Sequence, residues 1–191
     1  MKYINNTNIR SMSQKIFVVL SLVFVIVGCN SAPTPEKKDV KSHSFLKAYV
    51  KSYGAHYAGR GISQNVVDLD LYSAGVDLDS THHIVGTGGN LYVSDIFLPA
   101  GETRLTEGTY RSDTTGAAYT FLPGVDYDGA ISGAYLLQIS EGGLSSYTIF
   151  NEGQFVLSQD ADSTYIQFTF TYNENGVKRK YEAEYRGIIN Y

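Results

Sequence analysis

The chain has 191 residues, which suggests one domain, and its 43% hydrophobic content excludes a disordered protein. Sixteen tyrosines and 19 glycines, with four prolines and no tryptophan, favour β structure, because tyrosine fits pleated, half-buried surfaces and glycine marks turns. The net charge is −4, and loss of residues 1–28 would leave 12 bases and 19 acids, a net of −7. A chain this acidic is repelled by phosphate backbones, so we expect no nucleic-acid partner.

An apolar stretch at residues 16–27 follows Lys15 and contains no charge. Twelve helical residues rise only about 18 Å, whereas the hydrocarbon core of a bilayer is about 30 Å thick. This length is typical of the apolar region of a signal peptide and too short for a transmembrane helix.

The stretch ends in Ile26-Val27-Gly28-Cys29, which resembles the lipobox of bacterial lipoproteins. The resemblance implies that residues 1–28 are a signal peptide and that the Cys29 thiol carries diacylglycerol, which anchors the protein to a membrane. The alternative is a simple secretory signal followed by a chance cysteine. Cys29 is the only cysteine, so an internal disulfide is excluded.

Residues 29–42 are polar, contain two prolines, and predict a flexible tether between the lipid and a single β domain at residues 43–191. No aspartate follows Cys29, so the inner-membrane retention signal of some Gram-negative lipoproteins is missing. We therefore expect the protein in the outer membrane, facing either the periplasm or the cell surface.

The first element of the β domain is predicted as a short amphipathic helix between Ser44 and Tyr53. Its apolar residues recur at helical spacing, and Gly54 could end it. From Ala55 onward the apolar period changes to two, which indicates strands. We predict them in the following segments: 66–72, 91–98 with a bulge near Ser94-Asp95, 109–111, 118–122, 135–139, 146–150, 154–158, 165–172 and 181–186.

Short strands at regular spacing, with turn residues between them, predict an antiparallel meander that closes into a barrel or folds as a β-sandwich. Two similar triplets, Tyr57-Ala58-Gly59 and Tyr185-Arg186-Gly187, favour closure, with both triplets at a seam between the first and last strands. Closure would remove the unpaired edges that invite aggregation.

From Gly54 to Tyr191 the chain is rich in tyrosine and glycine and has regularly spaced predicted strands. In both properties it resembles the small all-β lipoproteins of Gram-negative bacteria. Some members of that group have a barrel similar to the calycins, and the resemblance implies a lipocalin-like ligand cavity. The Gly-x-Trp signature of true lipocalins is missing, because the chain has no tryptophan.

Candidate metal ligands occur in three places. His82 and His83 are adjacent and would point to opposite faces of a strand, so we interpret them as part of a surface turn. Two aspartate pairs, Asp77 with Asp79 and Asp126 with Asp128, have the alternate spacing of calcium loops. The Asp77 segment lacks the glycine and glutamate that an EF-hand requires at its sixth and twelfth positions. Turns are the alternative interpretation of both pairs, and a looser calcium site remains open.

The sequence does not favour an enzyme or a cofactor. No serine lies in a Gly-x-Ser-x-Gly motif, the only thiol is predicted to be lipidated, and Gly86-Thr87-Gly88-Gly89 lacks the lysine of a phosphate loop. We therefore expect a lipid-anchored envelope protein that binds a partner or has a structural role. The alternatives are a small-ligand carrier with a hollow barrel and a glycan-acting hydrolase.

Overall fold

The computed structural model describes residues 41–191. They form an all-β domain with one 3₁₀ turn, Ala58–Arg60. The strands are β1 Lys41–Gly54, β2 Val66–Ser73, β3 Val76–Leu78, β4 Ile84–Gly86, β5 Gly88–Phe97, β6 Gly108–Ser112, β7 Thr120–Phe121, β8 Val125–Tyr127, β9 Ala130–Ser132, β10 Ala134–Ser140, β11 Gly143–Ile149, β12 Glu152–Gln159, β13 Thr164–Glu174, β14 Val177–Gly187 and β15 Ile189–Asn190.

Eight strands close into a barrel in the order β5-β2-β1-β14-β13-β12-β6-β7, and β7 returns to pair with β5. β10 and β11 extend the sheet from β5 as a hairpin, while β3–β4 and β8–β9 are separate two-stranded hairpins. The prediction of a closed barrel is confirmed, and the sandwich alternative is not observed. The purely antiparallel meander is wrong, because β1 pairs with β14 and β6 with β7 in parallel.

The helix predicted between Ser44 and Tyr53 is also wrong, because this segment belongs to strand β1. The pairing of β1 with β2 shifts register between Phe45 and Lys47. Phe45 and Ala48 are therefore both buried, three residues apart, whereas Leu46 between them is 63% exposed. The helix was predicted from the spacing of Phe45, Leu46, Tyr49, Val50 and Tyr53, but in the bulged strand Phe45 and Val50 face the core whereas Leu46 is exposed.

The lumen of the barrel is filled by aromatic side chains. A continuous path of packed rings runs through Tyr110, Phe155, Phe168, Phe170, Phe150 and Tyr181, with neighbouring centroids 4.6–5.6 Å apart. All six residues are at most 1% exposed. Burial of each such side chain contributes about 1.5–3 kcal/mol relative to exposure, so this path is a major part of the core.

The bulge predicted near Ser94-Asp95 is confirmed. Val67 pairs with Ile96 and Leu69 with Val93, so β5 has one more residue than β2 over this interval. Asp95 takes a positive φ of 51°, a backbone conformation that aspartate tolerates better than most side chains. The backbone N–H of Asp95 donates to the carboxylate of Asp68 on β2, at 2.9 Å, which holds the bulge in place.

The first and last long strands do meet at a seam, but the predicted triplets do not lie there together. The seam joins residues 41–45 of β1 to residues 181–185 of β14, so Tyr185 pairs with Phe45. Tyr57 instead follows β1, next to the 3₁₀ turn, and its ring packs against Phe97.

The signal peptide predicted at residues 1–28, the lipidation site Cys29 and most of the predicted tether lie outside the described residues. Strand β1 begins at Lys41 and therefore includes the last two residues of the segment predicted as tether. Within residues 41–191, no helix combines the length and apolar character needed to cross a bilayer.

Candidate functional site

Two regions of the outer wall have distinct chemistry. The first, which we call the tyrosine face, consists of outward-facing side chains on β1, β2, β5 and β10. One cross-strand row on this face joins Tyr49, Asp70, Tyr92 and Tyr135. Asp68 lies two residues before Asp70 and faces the same way, because side chains alternate along a strand.

Asp68 is 8% exposed and accepts three hydrogen bonds. The hydroxyls of Tyr53 and Tyr92 both donate to Oδ2, the former at 2.9 Å, and the Asp95 N–H donates to Oδ1. Burial, together with this hydrogen bond to Asp68, raises the pKa of Tyr92 well above its ordinary value. The carboxylate therefore ties three strands together from the outside of the barrel.

Asp70 is satisfied in the same way. The Tyr72 hydroxyl donates to Oδ2 at 2.5 Å, and the Asn90 amide donates to Oδ1. Burial raises the pKa of Asp70, and the two hydrogen bonds oppose that rise. A third carboxylate, Asp95, accepts from the Tyr57 hydroxyl at 2.6 Å, and this hydrogen bond raises the pKa of Tyr57 to about 12.

The tyrosine face is consequently a closed network. Its carboxylate oxygens already have donors, and the hairpin β3–β4 covers part of it by packing Val76 and Leu78 beside Tyr72. Buried polar groups that are fully hydrogen-bonded stabilise and specify a fold. We therefore interpret this face as structural.

The second region is a furrow on the outer wall, formed by outward-facing side chains of β12, β13, β14 and β1. We call it the outer furrow. Its volume is about 540 Å³. One cross-strand row contains Gln154, Thr169 and Glu182, and the next contains Val156, Gln167, Glu184 and Ser44.

The side chains of the outer furrow are open, in contrast to those of the tyrosine face. Gln167, Glu184 and Ser44 are exposed. Glu184 makes only long contacts, accepting from Ser44 at 3.5 Å and from Tyr165 at 3.3 Å. Glu182 forms an ion pair with Lys180. The furrow therefore presents amide, hydroxyl and carboxylate groups that can exchange their water for a ligand.

The neighbouring depression extends the outer furrow. This second depression has a volume of about 530 Å³. It shares Ser44 and Glu184 with the 540 Å³ depression described above, the first depression, and continues to Tyr165 and Arg186. Tyr165 is half-buried, so part of its ring faces solvent. Together the two depressions form an elongated surface across four strands, about 14 Å wide at the spacing of a β-sheet.

The two histidines and Asp79 lie in the turn between β3 and β4. Asp79 accepts from the Thr81 backbone and side chain and from the His83 N–H, and His82 takes a positive φ of 63° in the same turn. The Thr81 hydroxyl also lies 2.8 Å from Nδ1 of His83. The interpretation of His82-His83 as a surface turn is confirmed.

The calcium candidates belong to two hairpins, Asp77 and Asp79 to β3–β4 and Asp126 and Asp128 to β8–β9. Asp77 contacts Lys47 Nζ at 2.5 Å, and this hydrogen bond lowers the pKa of its carboxyl. Asp126 accepts from the Gly129 N–H at 2.7 Å and from the Tyr147 hydroxyl at 2.8 Å, while Asp128 turns the chain with φ of 53°. Among residues 41–191, His, Cys, Asp and Glu form no group of three or more that could hold a metal ion.

Gln167, Glu182 and Glu184 belong to the strands predicted at 165–172 and 181–186, but the sequence predicted no furrow there. The available signal was that two consecutive hairpin-linked strands carry amides and carboxylates on the same face. Comparison with protein-family models, curated proteins and solved structures found no match to this chain.

Proposed function

We propose that this protein is a lipid-anchored, non-enzymatic binding protein of the bacterial cell envelope, attached through Cys29 and acting through the outer furrow. The observation that carries the proposal is the contrast between a lumen filled with aromatic rings and an open, polar furrow on the outer wall. Ligand sites are concave and have a few convergent polar groups, and the furrow has both properties.

The position of the furrow suits an anchored protein. Ser44 follows Cys29 by about 15 residues, and a fully extended segment of that length spans about 50 Å. A ligand held in the furrow would therefore stay close to the membrane that holds the lipid. The outer membrane remains the proposed location, on the basis of the residues after Cys29.

The alternatives receive less support. A lipocalin-like carrier needs an apolar cavity inside the barrel, and here Phe155, Phe168 and Phe170 occupy the lumen. Hydrolysis of a glycoside needs two carboxyl groups that flank the scissile bond. Glu182 and Glu184 lie side by side on β14 instead of facing each other across the furrow.

The anchor is tested by expressing wild type and Cys29→Ser in a Gram-negative host and separating membranes from soluble material. We expect the wild type in the membrane fraction, carrying acyl mass on Cys29, because two or more acyl chains make attachment stable. The serine variant should move to the soluble fraction, while the matched variant Ser31→Ala stays with the membrane. A serine variant that remains on the membrane would contradict the proposal.

A further inference from the structure

We propose that the ligand of the outer furrow is a neutral oligosaccharide chain. This inference rests on the proposed function, because it names the ligand class of the same site. It follows from the kind of polar group in the furrow, from the sign of its charge, and from the pairing of the strands beneath it.

The polar groups match sugar hydroxyls, which both donate and accept hydrogen bonds. Gln154 and Gln167 each offer two N–H donors and a carbonyl acceptor, and Thr169 lies opposite Gln154, two residues after Gln167 on β13. Within residues 43–191, neither glutamine amide makes a side-chain hydrogen bond, so both can meet a ligand. Glu184 adds carboxylate acceptors in the same row as Gln167.

The charge of the furrow disfavours anionic ligands. Its first depression is lined by two glutamates, Glu182 and Glu184, and by no lysine or arginine. In the second depression Arg186 is balanced by Asp160, 3.8 Å away. The net charge of −7 predicted for the chain after residue 28 adds to this repulsion. Phosphorylated or sulfated glycans, and acidic lipid headgroups, are therefore poor candidates, whereas an uncharged polyhydroxyl chain meets no such penalty.

The strands beneath the furrow disfavour a peptide. An extended peptide is usually bound by addition to an unpaired strand edge, with apolar pockets for its side chains. Here β13 is paired on both sides, by β12 and β14, and β14 is paired by β13 and β1. Outward-facing apolar side chains are few, namely Val156 in the first depression, 39% exposed, and Leu46 in the second, 63% exposed, and neither forms a pocket.

An aromatic ring is the remaining element of a sugar site. Tyr165 borders the second depression, next to Glu184, with its hydroxyl 3.3 Å from Oε2. The apolar side of a sugar ring can pack on such a half-buried aromatic face while its hydroxyls reach the neighbouring carboxylate. The shared residues Ser44 and Glu184 make the two depressions continuous, so a linear chain of several sugar units can follow them.

The experiment uses the full-length protein, purified in detergent, with four uncharged hexasaccharides as probes: chitohexaose, cellohexaose, xylohexaose and maltohexaose. Calorimetric titration should detect binding of at least one probe with a Kd between about 10 µM and 1 mM. This range is expected for an open polar site, because ligand and side chains lose conformational entropy on binding. A neutral hexapeptide of alanine and serine serves as the alternative ligand.

The variants locate the binding site. Gln167→Ala and Glu184→Ala should each weaken the bound probe about tenfold, and Val156→Trp should abolish binding by filling the furrow. The matched controls Gln159→Ala and Glu102→Ala, which change exposed residues outside the first depression, should keep wild-type affinity. Unchanged circular dichroism of each variant shows that the barrel is intact.

The inference is overturned if none of the four probes binds up to about 5 mM, if the control variants lose as much affinity as the furrow variants, or if the peptide binds better than the sugars. Release of reducing sugar by the wild type would instead identify a hydrolase. A Cys29-dependent membrane location with no sugar binding would refute the ligand class and leave the anchor proposal standing.

Discussion

The hydrogen-bond network around Asp68 makes a quantitative prediction about stability. Replacement of Asp68 by alanine removes the acceptor of Tyr53, Tyr92 and the Asp95 N–H at once. Hydrogen bonds to a charged group contribute about 1.5–3 kcal/mol each. Two effects offset part of this loss of hydrogen-bond stabilisation. The variant no longer buries a carboxylate, and the Tyr53 hydroxyl can hydrogen-bond to water instead.

We therefore expect Asp68→Ala to lower the free energy of unfolding by about 3–4 kcal/mol, mostly because the Tyr92 hydroxyl and the bulge N–H lose their acceptor. In a domain of this size that corresponds to a fall in Tm of about 6–16 °C. Urea and thermal unfolding, followed by circular dichroism, measure both quantities.

A matched control separates burial from the hydrogen bond itself. Asp126 accepts from a tyrosine hydroxyl as Asp68 does, but the Asp126–Tyr147 pair is exposed to solvent. Asp126→Ala should lower the free energy of unfolding by only a small fraction of the loss expected for Asp68→Ala, because water can replace the carboxylate at the exposed Tyr147 hydroxyl and Gly129 N–H.

A double-mutant cycle gives the refuting result. Tyr92→Phe should destabilise the wild type by about 1–2 kcal/mol and change little once Asp68 is alanine, because the two groups share one interaction. If Asp68→Ala costs less than about 1 kcal/mol, or if the two substitutions are additive, the tyrosine face does not stabilise the barrel in this way.

Two further predictions concern pH and backbone conformation. The pKa values of Tyr57 and Tyr135 are raised to about 12, by the hydrogen bond to Asp95 and by burial respectively, so the folded protein holds these protons more tightly than the unfolded chain does. The stability that they contribute should be complete below about pH 10 and lost as the pH rises toward 12. Tyrosinate absorbance of the folded protein should show two tyrosines that ionise well above about pH 10. Ionisation of both near pH 10 would contradict this prediction. Gly133 and Gly176 have nearly the same positive φ, 80° and 79°. In Gly133→Ala the added Cβ would lie 2.0 Å from the Pro123 carbonyl oxygen, whereas in Gly176→Ala it meets nothing within 4 Å. We expect about 1 kcal/mol of destabilisation at Gly176 and at least about 3 kcal/mol at Gly133, measured by urea unfolding, and equal losses would show that φ alone decides.

Most strands of the barrel could be predicted because each buries side chains on its inward face. β13 alternates between apolar and polar residues from Ile166 to Tyr172, and β14 does so from Tyr181 onward, so their inward faces were evident from the chain. The first four residues of β14, 177–180, do not alternate and were not predicted. β1 was mistaken for a helix because a bulge after Phe45 shifts its alternation by one residue. A local pattern cannot distinguish this shift from a helical turn, since both place apolar residues three apart.

The candidate site was less predictable than the fold. Outward-facing Gln167 and Glu184 look like ordinary solvent-exposed residues in the sequence, because nothing along the chain reveals that the outer wall is concave there. The role of Asp68 was hidden for a related reason. Its partners Tyr53 and Tyr92 lie 15 and 24 residues away, on the two strands that flank β2, and each of those pairings contains a register shift.

The amino-acid sequence alone determined the β class, the inward faces of regularly alternating strands such as β13, and several turns, because these depend on side-chain alternation and on glycine and aspartate conformations within a few residues. Tertiary structure decided the parallel seam between β1 and β14, the filling of the lumen by aromatic rings and the concavity of the outer furrow. Each of these depends on which distant strands become neighbours, and that choice is made by packing the whole barrel at once.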